Sequence, residues 1–203
     1  MTALFLKGLA FGFVLAATVG PMWVLCFRRT VAYGALTGFV SGMGIAVADG
    51  LYGAVAAFGL TAVSGLLLAH SFWIGLVGGI FLVTLGVKTL LSKPAADGVT
   101  PQPAGLAQAF LSTLGLTLAN PPTILAFAAI FAGLGLAASA DYTAAALVTL
   151  AVFLGSAAWW VVLAAAGGAL RGRLGARAQR AINVVSGVAI LGFAAWQCAQ
   201  LLR

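Results

Sequence analysis

Asp49 is the one acidic side chain inside an apolar run, Ala35 to Leu60, that is long enough to cross a bilayer. The other two acids, Asp97 and Asp141, fall in polar connections, and the chain has no glutamate. A charge at bilayer depth costs about 2.5 kcal/mol or more, so such a group faces a bundle interior or a cavity and serves a purpose. A carboxylate there can exchange a proton or pair with an amine. The helical step puts Gly38, Gly42, Ile45, Tyr52 and Ala56 on the Asp49 side of the axis. Every fourth residue from Gly34 to Ala54 is glycine or alanine, a ridge that lets membrane helices approach closely. Asp49 is therefore expected to face protein. Tyr52, one turn beyond, either lines the same space or packs.

A second set of residues concerns the backbone. Pro21 and Pro121 each fall inside an apolar run. Proline has no N–H and crowds the carbonyl four residues back, so Pro21 is expected to free Ala17, and Pro121 with Pro122 to free Thr117 and Leu118. Broken backbone at this depth survives only when buried in protein or lining a wet cavity. The half-helix that starts after a break offers N–H groups to an anion, and the carbonyls freed before it suit an ammonium. Together they suit a zwitterion. Gly20 and Asn120 stand immediately before the two prolines; the Asn120 amide can donate and accept, or simply cap a broken helix. At 1.5 Å per residue from the basic end, Asp49 and Asn120 each lie about 21 Å along their spans, with Pro21 about 9 Å in.

Other reactive types read as structural. One carboxylate and one remote histidine, His70, do not make a metal site, and no cofactor is expected. Cys26 and Cys198 fall at opposite ends of their spans, which argues against a disulfide within one subunit. Both read as small packing residues. Trp23, Trp159 and Trp160 read as core or interface aromatics.

The elements that must position these residues follow from composition. Of 203 residues, 63% are hydrophobic and only 6% charged, far too apolar for a water-facing surface. Six stretches are long enough to span, at Leu4–Cys26, Ala35–Leu60, Leu66–Leu91, Leu106–Leu134, Thr143–Gly168 and Ile182–Leu202. The reading is all-α: one transmembrane domain over residues 1–203, with the first and fourth helices broken at proline. The first run continues through Val24 and Leu25 to a double arginine, so it is expected to be an uncleaved span rather than a signal peptide.

The net charge of +7 is topological. Arg28 and Arg29, Lys88 and Lys93, and Arg171, Arg173, Arg177 and Arg180 cluster at odd-numbered connections, leaving Lys7 and Arg203 at the two ends. Positive-inside logic puts those connections in the cytoplasm and both termini outside. The Arg171–Arg180 stretch reads as an anchor at anionic lipid, and a nucleic-acid partner is not expected. The proline-rich connection from Ser92 to Ala104 divides the spans three and three. Three is odd, so the second half enters from the opposite side, as in a 3+3 inverted repeat. Aligning Pro21 with Pro121 matches the two broken helices, and Leu-Gly recurs at Leu85-Gly86 and Leu191-Gly192.

Four ordered segments carry a resemblance to the LysE/RhtB family of bacterial amino-acid exporters. Val19-Gly20-Pro21 resembles the family's Pro-Gly-Pro, and Arg28-Arg29-Thr30 leads to Gly34 and Gly38. The run from Gly42 to Tyr52 resembles its glycine-rich, Asp-bearing second span, and Asn120-Pro121-Pro122 its Asn-Pro motif in the fourth. The resemblance implies six spans in the cytoplasmic membrane and efflux of amino acids driven by the proton-motive force. It carries site roles to Gly20, Pro21, Asp49, Asn120 and Pro121. Val19 replaces the first proline, Met22 stands where a polar or acidic residue is common, and Pro122 where many members have lysine. The resemblance therefore names no particular amino acid.

The expected partners are an amino acid, protons and membrane lipid, with pairing into a homodimer left open. Two other classes compete. A membrane thiol/disulfide electron carrier needs two cysteines within reach, beside the prolines, and both proline neighbourhoods lack them. A metal-ion exporter needs more ligands than this chain offers.

Overall fold

The structure is a computed structural model, and it describes residues 1–57, 69–92, 105–120, 123, 127, 142–171 and 174–201. Among these residues it is all-helical, with seven α-helices and no strand. Helix α1 covers Thr2–Ala17 and α2 covers Pro21–Tyr33. The two meet at a bend of 74° and reach spanning length only as a pair. Thr18 ends α1: its N–H donates to Leu15 O and its hydroxyl to Val14 O. Pro21 then opens α2 at its first position, where the missing N–H is not needed.

Helix α3, Ala35–Ala57, follows after one residue. That residue is Gly34, at φ +104°, a conformation open to glycine and strained for others. Helices α4 (Ser71–Leu91), α5 (Leu106–Leu118), α6 (Tyr142–Arg171) and α7 (Ala176–Leu201) complete the set. Helices α3, α4, α6 and α7 are each long and apolar enough to cross a membrane, and the bent pair adds a fifth candidate if it counts as one span. Helix α5 has 13 residues and ends just before Asn120.

Glycine contacts define the packing and the helix directions. A β-carbon on Gly8 would meet Val148 and Ala151, and one on Gly12 would land on the Val152 backbone, so α1 and α6 run the same way; Gly155 against the Leu9 backbone shows how closely the two lie. Gly42 sits on the Trp160 ring and Gly168 on Ala35, so α3 runs antiparallel to α6. Gly79 meets Cys198, Gly86 meets Leu191 and Gly187 meets Leu90, which makes α4 and α7 antiparallel. The small-residue ridge of α3 thus does what its spacing predicts. Outward faces carry Val77, Ile80, Val185 and Val188, all well exposed. An apolar exterior around a polar interior is the pattern of a membrane-embedded bundle.

Three expectations are corrected. The first crossing continues to Tyr33 rather than ending at Cys26, so Arg28 and Arg29 lie within α2, not in a connection. Long apolar stems and bonds to neighbouring helices let arginine continue a helix that a hydropathy count would end. Helix α7 begins at Ala176, before Arg177 and Arg180, rather than at Ile182. Arg180, expected at lipid, donates instead to Leu90 O and Ser92 O at the end of α4, where helix carbonyls lack partners. The expected ends at 58–60 and 66–68, and most of 121–134, lie outside the described residues.

Candidate functional site: a carboxylate-bearing cavity at the helix break

The break between α1 and α2 opens onto a cavity of about 290 Å³. Gly20, Pro21, Met22 and Trp23 form one wall, Ile45 and Asp49 of α3 a second, and Thr117, Asn120 and Thr123 a third. Trp160 of α6 adds a fourth. Four of the six residues singled out from sequence therefore share one space: Gly20, Pro21, Asp49 and Asn120. Pro121 lies outside the described residues.

Tyr52 packs one turn from Asp49 and is buried. Its hydroxyl donates 2.8 Å to Leu118 O, one of the carbonyls that the tandem prolines were expected to free. The Thr117 carbonyl, the other, accepts from Asn120 N–H at 3.1 Å. Both carbonyls are thus used to hold the end of α5. The Asn120 amide turns to Thr123, donating 2.9 Å to its hydroxyl.

Asp49 is 3% exposed. Its Oδ2 accepts a 2.7 Å hydrogen bond from Ser156 Oγ of α6, and Oδ1 accepts no described hydrogen bond. It is the one carboxylate among the described side chains, and no described base pairs with it. Sequence reasoning missed Ser156. The signal was present: it is the one hydroxyl between Leu150 and Leu170 of α6, beside Gly155. Trp160 belongs to a buried apolar cluster with Ile45 and Leu163, and Trp23 packs against it, as expected for core aromatics; both also line the cavity. Trp23 stacks on Phe27 at 5.3 Å. Trp160 is 1% exposed, and its indole N–H has no acceptor among the described residues.

A second polar layer lies toward the basic end. Arg28 Nε donates to Asn183 Oδ1 at 3.1 Å and its Nη2 to Ser92 Oγ at 2.9 Å. Arg29 reaches the other way, from Nη1 to Ser41 Oγ (3.1 Å) and Ala109 O (3.0 Å), and from Nη2 to Ser112 Oγ (2.9 Å). Two successive residues of α2 thus tie α7 and the end of α4 on one side, and α3 and α5 on the other. Every described acceptor is neutral. Ser41 precedes Asp49 by about 12 Å along α3, so the layer is separate from the cavity.

Among the described residues, no group of three His, Cys, Asp or Glu side chains could hold a metal ion. Cys26 is buried against Ile45 and Trp160, while Cys198 lies on Gly79 of α4; both are free thiols.

Lipid-facing helices around a carboxylate-bearing cavity at an interrupted helix define a polytopic membrane protein with an interior polar site. The chain belongs to the LysE type translocator family, whose description matches residues 13–198. That is a family of transporters rather than of enzymes. No curated protein and no solved structure matches the chain.

Proposed function

We propose that this translocator exports amino acids or similar small zwitterions across the cytoplasmic membrane in exchange for protons. The observation that carries this reading is Asp49: a buried carboxylate with no base beside it among the described residues, in the wall of a cavity that also contains a helix break. Asp49 holds a proton in one half of the cycle and the substrate's ammonium in the other. Each release is made possible by the arrival of the other cation. The start of α2 receives the substrate's carboxylate, since its first N–H groups lack helical partners. A proton crossing 100 mV supplies about 2.3 kcal/mol, enough for a concentration ratio of about fifty.

The chain is read as six crossings in a 3+3 inverted repeat, with Asn120 and Pro121 as the second break. The basic end faces the cytoplasm and both termini lie outside. Membrane lipid is the surrounding partner, no nucleic acid is involved, and a homodimer is compatible with the chain. On this reading the Arg28/Arg29 layer closes the cytoplasmic end, so cargo reaches Asp49 only after those bonds part. Neutral acceptors favour such a role, because hydrogen bonds to them are weaker than closed salt bridges. The decisive experiment is transport by purified protein in proteoliposomes under an imposed pH gradient, with Asp49→Asn as the control. Normal proton-coupled transport by that variant would refute the assignment.

A further inference from the structure

We infer that the substrate is an amino acid with one ammonium and an uncharged, apolar side chain, rather than a basic or acidic one. The inference rests on the exporter reading above and adds what the cavity walls select.

Charge comes first. Asp49 is the one ionisable side chain among the described walls, and Ser156 already occupies its Oδ2. Oδ1 is left for a single ammonium. The carboxylate has donors nearby: Val24 is the first residue of α2 whose N–H bonds back along the helix, to Gly20 O. The Met22 and Trp23 N–H groups precede it, on residues of the cavity wall. A second ammonium, as in lysine, would find no second carboxylate. A second carboxylate, as in glutamate, would find no base, because the nearest described arginines are committed to the separate layer at Ser41, Ser92, Ala109, Ser112 and Asn183. An unpaired charge in such a site is strongly disfavoured.

The remaining wall then decides the side chain. Leu15, Met22, Trp23, Ile45 and Trp160 present carbon surface, which rewards apolar groups in proportion to the area covered. A volume of about 290 Å³ is at the small end for ligand sites, so it takes one small molecule rather than a peptide.

The test uses purified protein in proteoliposomes with a pH-sensitive dye inside. Leucine, methionine, lysine and glutamate are offered in turn at equal concentration. Leucine and methionine are expected to drive proton movement about tenfold or more above the other two. Leu15→Glu places a second carboxylate on the α1 side of the cavity, across the break from the start of α2; it is expected to raise lysine-driven flux several-fold. Quenching of Trp23 and Trp160 fluorescence by leucine, lost in Asp49→Asn, reads binding even where a variant transports poorly. Lysine or glutamate matching leucine, in a protein whose flux still requires Asp49, would overturn the inference and leave the exporter reading standing. Proton movement with none of the four would overturn both.

Discussion

Ser156 Oγ lies 2.7 Å from Asp49 Oδ2, joining α6 to α3 at a buried point beside the cavity. Gly155, the neighbour of Ser156, is where the Leu9 backbone of α1 touches α6. Helix α1 ends eight residues further on, at Ala17, against the break. The titratable group, the long helix and the interrupted helix are therefore parts of one rigid connection. A change in what Asp49 binds acts on α6 directly, and through α6 on the wall of the cavity.

Replacing Asp49 by asparagine keeps size and an oxygen acceptor for Ser156 but removes the titratable charge. Transport driven by a pH gradient is expected to fall to background while membrane insertion and purification yield stay normal. Flux in proteoliposomes, set beside a gel-filtration profile, reads both.

Ser156→Ala removes the described hydrogen bond to the carboxylate. A bond to a charged group contributes about 1.5–3 kcal/mol, so transport efficiency is expected to drop by about ten- to a hundredfold. Ser156→Thr keeps the hydroxyl and should restore a substantial part. Equal loss in both variants would show that volume, rather than the hydrogen bond, matters there.

Arg29→Ala removes the three bonds by which one guanidinium ties α2 to Ser41, Ala109 and Ser112, while each of these keeps a bond within its own helix. A stability loss of about 2–3 kcal/mol is expected from thermal unfolding in detergent. Arg29→Lys should recover little, because an ammonium cannot span the forked geometry. The loss should be the same in low and high salt, since the described acceptors carry no charge to screen.

Glycines of equal sequence appearance should differ sharply. Gly12→Ala and Gly155→Ala push a methyl into facing backbone and are expected to cost about 1–3 kcal/mol each. Gly192→Ala meets nothing within 4 Å, so it should be neutral or stabilising by up to about 1 kcal/mol. Thermal unfolding of the three variants in one detergent decides this.

Orientation can be read with a single thiol. In a Cys26→Ala, Cys198→Ala background, Gly175→Cys places a sulfur before α7 where an added β-carbon meets nothing within 4 Å. An impermeant maleimide is expected to label it only from the cytoplasmic face. Full transport in the same background would also eliminate a thiol-based electron carrier.

Much of this molecule was written in local pattern. Asp49 faces inward because four-residue spacing of small side chains makes one side of α3 the contact side, and periodicity alone reveals that side. The break at Pro21 is equally local, since a missing N–H acts within one turn. Helix ends were less legible: a hydropathy count ended the first crossing at the arginines, although their partners lie on α3, α4, α5 and α7.

What the chain determined by itself is where polar and interrupted backbone must be hidden: one acid, two proline sites and an apolar remainder leave few places for them. Only the tertiary arrangement decided who meets whom. Ser156 is 107 residues from Asp49 and Asn183 is 155 from Arg28, distances over which no helical or strand period operates. Those pairings exist because glycine contacts set the register between helices, and register is a property of the packed bundle rather than of any single segment.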